Sequence, residues 1–358
     1  MLYIMILFSI LAGVDYMLNN KYGLGVKFEE GFTSIGGMAL SIVGIYTLSP
    51  VISKFLVPIL NPLANLIKTD PSVFIASILA VDLGGYLTSV EVANSAMIGQ
   101  FNGLILASML GATISFTIPV ALKLISVESQ KYFSKGVLSG IITVPLGMSV
   151  AGIMMKIPLA DLLATLFPVI LFSIIIVIGM IKSFDRVLKV FTFIGKSILL
   201  ISTIGLLLSI LDFMFGIKII QGMLPFEEAI ILVGKIGIIL SGAYPLIYFI
   251  STKMHRILKK ISLKYDLNEY SVLGLISSTV NNIPMLGVYD KMNWKGQIIN
   301  AAFTVSGSFV FGGQLGYVSS LSQESVNAFI AAKLIGGISA IILAIIMIKI
   351  EVKKEEEL

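Results

Sequence analysis

Cysteine is absent from the 358 residues, and histidine occurs once, as His255. Disulfides, thiolate chemistry and cysteine-ligated metals are thereby excluded. One histidine in the basic stretch 253–264 is expected to be a solvated surface residue, because a lone imidazole has no partner ligands for a metal. Charge is also scarce. Charged residues make up 13% of the chain, against roughly 25% in soluble domains. No phosphate-binding loop, zinc spacing or nucleophile–base set occurs. The glycine-rich pieces lie inside apolar runs rather than between a strand and a helix, which rejects a nucleotide fold. With no paired catalytic constellation, an enzyme is not expected.

What fills the chain is hydrocarbon. Hydrophobic residues account for 57% of it, and the mean hydropathy is +1.00. Apolar runs of about 20 residues recur from end to end, each long enough to cross roughly 30 Å of hydrocarbon. The expected fold is an all-α polytopic membrane protein of about 10–11 transmembrane helices. Residues 1–18 are apolar but lack a basic leading region and a small-residue cleavage site, so they read as a first span rather than a signal peptide. The net charge of +5 comes from cations clustered in connecting loops, as topology signals do, and does not indicate nucleic acid.

The chain resembles itself at a nearly constant offset. Asp15 pairs with Asp212 (212 − 15 = 197), Phe28-Glu29-Glu30 with Phe226-Glu227-Glu228 (226 − 28 = 198), and Gly44 and Tyr46 with Gly242 and Tyr244. Ser72-Val73 pairs with Ser271-Val272 (271 − 72 = 199), Asp82 with Asn281, Asn102 with Asn300, and Lys135 with Lys333. Matches in one order at one spacing point to a duplication, common in transporter folds. The expected organisation is a first repeat over 1–157, a linking apolar segment over 158–190, and a second repeat over 191–358. Each repeat holds five apolar segments, the third near 71–90 in the first and near 271–289 in the second. Five spans and a linking span would leave the repeats parallel. If the linker only lies in the interface, or one segment re-enters, they are inverted.

Asp82 is the sharpest single feature. It stands near the centre of its apolar segment, where a carboxylate costs about 2.5–3.5 kcal/mol on insertion scales. Gly84-Gly85 follows at once and weakens the helix there. At the matching place in the second half stand Asn281, Asn282 and Pro284. A proline within a helix removes one backbone bond and clashes with the carbonyl four residues back, here that of Val280. Broken helices near the midplane are where transporters place their sites. Asp82, Asn281 and Asn282 therefore read as substrate or coupling-ion ligands, with inter-helix hydrogen bonding as the plainer alternative. The acidic pairs Glu29-Glu30 and Glu227-Glu228 read as helix-dipole partners. Small residues such as Gly99, Gly103 and Gly111 read as close-packing positions.

These residues carry a resemblance. Phe28-Glu-Glu-Gly-Phe32, Leu79-Ala-Val-Asp-Leu-Gly-Gly85, Gly242-Ala-Tyr-Pro245, Asn281-Asn-Ile-Pro-Met285 and the run Phe303–Gly316 resemble the ethanolamine-utilisation transporter family of the EutH type, over nearly the whole chain. The resemblance implies a bacterial cytoplasmic-membrane protein that admits ethanolamine for catabolism. It departs at Gly313-Gln314, where the family pattern carries an acidic residue and a histidine; Asp82 then remains as the counter-charge. For an aminoalcohol cation, Asp82 would hold the ammonium, with Tyr86, Phe116 and Phe311 as aromatic faces. Asn281, Asn282 and Gln314 would serve the hydroxyl. No cofactor or metal is expected, and coupling to Na⁺ or H⁺ is left open, as is assembly into a homo-oligomer. Two competing readings stand beside this one: an ion-coupled permease for another small polar solute, and a non-transporting membrane sensor or assembly subunit.

Overall fold

The computed structural model describes residues 2–253, 260 and 262–356; His255 lies outside the described residues. Helix dominates, with no strand among the described residues. Among the described residues, six helices are long and apolar enough to cross a membrane. The protein is an all-α polytopic membrane protein. Its exposed helix faces carry isoleucine, leucine and phenylalanine throughout, as surfaces bathed in lipid require.

In chain order, α1 is Leu2–Met17 and α2 is Leu24–Ile67. Two short helices follow, α3 (Ser72–Ile78) and α4 (Tyr86–Val92), joined by the turn Val81–Gly85. Next come α5 (Ala96–Phe101) and α6 (Ile118–Leu124), the ends of one continuous helix whose α winding is interrupted by wide π turns at Asn102–Gly111 and Thr113–Thr117. Helix α7 is Val127–Met154. Helix α8 runs Leu159–Phe215, and its helical geometry breaks at Ser183, where two helices meet at a kink; the apolar run 160–181 and the helix after the kink are thus separate arms. Helix α9 is Phe226–Lys253. Helices α10 (Glu269–Ser278) and α11 (Asn282–Gly287) form a second short pair. Helices α12 (Trp294–Ser306) and α13 (Gly313–Leu321) form a second interrupted helix, and α14 is Val326–Glu356.

The segments near 71–90 and 271–289, expected to be spans, are not. Helices α3 and α4 have 7 residues each, about 10 Å of rise apiece, and they fold back on each other. Ser89 Oγ lies 3.5 Å from the carbonyl of Ser72. Asp70 clamps both ends: Oδ1 accepts from the Ser72 amide at 2.9 Å, and Oδ2 from the amides of Asn94 and Ser95 at 2.9 and 3.3 Å. The second pair is closed the same way. Asn268 Oδ1 accepts from the Ser271 amide at 3.0 Å, and its Nδ2 donates to the carbonyl of Lys291 at 2.7 Å. Asp70 and Asn268 stand 198 residues apart (268 − 70). Each half therefore holds a hairpin that enters and leaves on one side.

Pro284 does not interrupt a helix either. The chain has already left helical geometry at Asn281, which is extended (φ −153°, ψ 134°) and whose Oδ1 accepts from the Ile283 amide at 2.9 Å. Pro284 falls in the first turn of α11, where a missing N–H costs nothing.

The N- and C-terminal portions of the chain interlock. Helices α2 and α9, paired by the sequence offset, run antiparallel: Gly31 abuts Ser241, Gly237 abuts Ile35, and the Tyr46 hydroxyl donates to Glu228. Helices α7 and α14 do likewise, with Gly147 against Ala332 and Thr143 donating to the Gly336 carbonyl at 3.2 Å. Two matched glycines permit the closest crossings. A Cβ on Gly44 would lie 1.7 Å from the Ser202 carbonyl oxygen of α8, and one on Gly242 would lie 1.9 Å from that of Met5 in α1.

Candidate functional site

Both hairpin tips open onto one cavity of about 430 Å³. On the first tip, α3 ends at Leu79 and the backbone turns through Gly84, whose φ of +87° suits a residue without Cβ. This aims Asp82 at the cavity, where it is half-buried. The second tip contributes Val280 and Asn281. Each tip rests on the interrupted helix of its own half. The Ala80 amide donates to Ser115 Oγ at 3.0 Å. The amides of Phe309 and Phe311 donate to the carbonyls of Ser278 and Thr279 at 2.9 and 2.8 Å. Backbone groups freed by the breaks are thereby satisfied inside protein, as an apolar surrounding demands.

Of the residues singled out from sequence, Asp82, Phe116, Asn281 and Gln314 line this cavity. Asn282, Tyr86 and Phe311 do not. Asn282 is fully buried; its Nδ2 donates to Thr117 Oγ1 at 3.1 Å, and its Oδ1 accepts from Thr304 at 2.6 Å. It ties the two interrupted helices together. Tyr86 lies behind the first tip, its ring edge-on to Tyr317 at 6.4 Å. Phe311 packs partly buried against the core, and Phe309 takes the lining position, edge-to-face with Phe116 at 5.9 Å. That exchange follows from the left-handed backbone at Phe309 (φ +59°), which no helical pattern anticipates.

Sequence reasoning missed Thr33, Ser34 and Ser41 of α2 and Tyr244 of α9, all on the cavity wall. The Tyr244 hydroxyl stands beside Ser34 and Asn281. It also missed Lys333 as more than a repeat marker. Lys333 is fully buried. Its Nζ donates to Gln314 Oε1 at 2.8 Å and to the Ser108 carbonyl at 2.6 Å. A lysine inside the apolar run 327–349 was the available signal.

The cavity continues unequally to its two sides. Past Thr33, Ser34, Tyr244 and Asn281 it borders a space of about 710 Å³ that reaches Lys27, Glu30 and Tyr248. Past Ser41, Leu83 and Phe116 it meets only about 150 Å³, toward Lys123 and Lys196. One side is wide, and the other is pinched beside the Asp82 tip.

Residues 1–347 match the family described as "Ethanolamine utilisation protein, EutH". The chain belongs to the EutH family. A relative from Listeria monocytogenes, called "Probable ethanolamine permease EutH", is 38% identical over 355 residues, covering 99% of this chain and 95% of its own. A protein of the same description from Escherichia coli is 30% identical, covering 97% and 94%. The Bacillus subtilis relative "Uncharacterized protein YxeR" is 38% identical, covering 94% and 91%. No solved structure matches the chain. The match spans both hairpins, both interrupted helices and all the cavity residues named above, so the site lies wholly within the EutH-family part of the chain.

Proposed function

We propose that this protein is a transporter, not an enzyme, that carries ethanolamine across the cytoplasmic membrane of a bacterium. The observation that carries the reading is Asp82: a carboxylate on a hairpin tip, facing a cavity inside the membrane-embedded part of the molecule. An ammonium needs such a partner away from water, and a charge-assisted hydrogen bond is worth about 1.5–3 kcal/mol. Phe116 and Phe309 offer ring faces beside it, and Asn281 and Gln314 offer amide groups to a hydroxyl. The relatives' printed names support the substrate, and the six long apolar helices support the location.

The same reading makes the two halves inverted copies, over 1–157 and 191–358, with 158–190 linking them. The antiparallel packing of α2 on α9 and of α7 on α14 supports inversion. A hairpin that does not cross leaves an odd number of crossings between equivalent helices, as inversion requires. Alternating access then consists of widening the pinched side while the wide side closes.

Uptake of radiolabelled ethanolamine by proteoliposomes holding the purified protein tests the proposal. Uptake that exceeds empty liposomes and is inhibited by unlabelled ethanolamine is expected. Liposomes that stay impermeable to ethanolamine would end it.

A further inference from the structure

Lys333 is a fully buried charged side chain that the transport reading alone does not use. It is fully buried on α14, where an ammonium costs about 2.5–3.5 kcal/mol on insertion scales. A methionine would fill a similar volume without that cost, so packing does not explain the charge. Its surroundings are those of a cation site. The Ser108 carbonyl that accepts from Nζ at 2.6 Å belongs to the π turns of Asn102–Gly111, a winding found frequently at functional sites. Gln314 Oε1, at 2.8 Å, comes from the start of α13, after the break in the other interrupted helix. The Phe329 ring presents its face 5.4 Å from Nζ. Asp82 is the carboxylate within electrostatic reach.

We infer that Lys333 is a tethered cation filling a site between the two interrupted helices where a coupling metal ion would otherwise bind, so that transport proceeds without sodium. A backbone carbonyl on a π-wound helix and an amide oxygen beside a helix break, with a carboxylate nearby, are oxygen donors of the kind that hold a small cation inside a membrane bundle. Here the chain supplies that cation itself. Asp82 and Lys333 then compensate each other in the empty cavity, and the arriving ammonium meets a carboxylate already partly neutralised. Gln314 connects the two: it lines the cavity and accepts from Lys333. The inference rests on the cavity being a site for transported cations, but one of its tests uses no ethanolamine.

That test removes the tether. Lys333→Ala leaves a cation-sized space lined by the same oxygens. The purified variant, free of ethanolamine, is expected to unfold several degrees below the wild type and to regain most of the loss in millimolar-to-molar ammonium or methylammonium, while the wild type does not respond. A variant as stable as the wild type, or one indifferent to small cations, overturns the inference and leaves the ethanolamine proposal standing. Should Lys333→Ala fail to fold, the double variant Asp82→Asn/Lys333→Met decides. Removing both charges together is expected to restore a folded protein, and a double variant no better than the single overturns the inference. In proteoliposomes, wild-type uptake is expected to agree within about twofold whether sodium, potassium or N-methylglucamine is the external cation; a tenfold requirement for sodium overturns it.

Discussion

The two hairpin tips are built alike and equipped differently. Both are closed at the base by a side chain at matched positions, Asp70 and Asn268, and both lean on an interrupted helix. Yet the first tip presents a carboxylate, Asp82, and the second an amide, Asn281. The first faces the pinched side of the cavity and the second the wide side. Matched backbones thus present unmatched chemistry: one tip offers the cavity a carboxylate, and the other an uncharged amide. The difference also concerns conformational freedom. The first tip needs a glycine at φ +87°, whereas the second is extended and capped by its own asparagine.

The largest effect should come from erasing that difference. Asp82→Asn makes both tips amides and is expected to lower ethanolamine uptake by roughly 10- to 100-fold, the loss of one charge-assisted hydrogen bond. The exchange Asp82→Asn/Asn281→Asp keeps one carboxylate on the same cavity and is expected to recover part of the rate. Near wild-type uptake by Asp82→Asn would remove the carboxylate from the site.

The unequal sides give the next largest effect. Because the chain lacks cysteine, single cysteines report cleanly. A membrane-impermeant thiol reagent should label Ser34→Cys, on the wide side, roughly tenfold faster than Pro119→Cys on the pinched side, since labelling follows access. Equal rates from both faces would erase the asymmetry. Ethanolamine should slow the first and speed the second if the sides alternate.

Two smaller effects separate structure from chemistry. Asn282→Ala loses two buried hydrogen bonds and should destabilise the protein by about 1–3 kcal/mol, with the KM for ethanolamine little changed. A raised KM at unchanged stability would instead put Asn282 at the substrate. Gly84→Ala forces a side chain into left-handed backbone, where its Cβ would meet Ile45 at 2.8 Å, and should cost about 1–3 kcal/mol. The extended Asn281 of the second tip carries no such sensitivity, and thermal unfolding of Asn281→Ala compared with Gly84→Ala measures the contrast.

Much of this was legible in the residues. Hydropathy announced a membrane protein, and the sequence offset led to both tips. A carboxylate in an apolar run led to Asp82, for the same reason that should have led to Lys333. The hairpins were not legible. A run of about 20 apolar residues that crosses and one that turns back have the same hydropathy; only Asp70 and Asn268 clasping distant backbone separates them. Nor could adjacent residues be sorted by facing. Asn281 and Asn282 read alike, but the extended backbone at 281 sends one to the cavity and the other to Thr117 and Thr304.

The sequence by itself therefore determined the solvent the chain lives in, its all-helical architecture, and which few polar groups must be sheltered there. Those follow from composition and from transfer energies that each residue carries with it. Tertiary structure decided which apolar segments cross, which polar groups face the cavity and which side of it is wide. These depend on backbone torsions at a handful of breaks and on contacts between residues some 200 positions apart, and no local pattern encodes either.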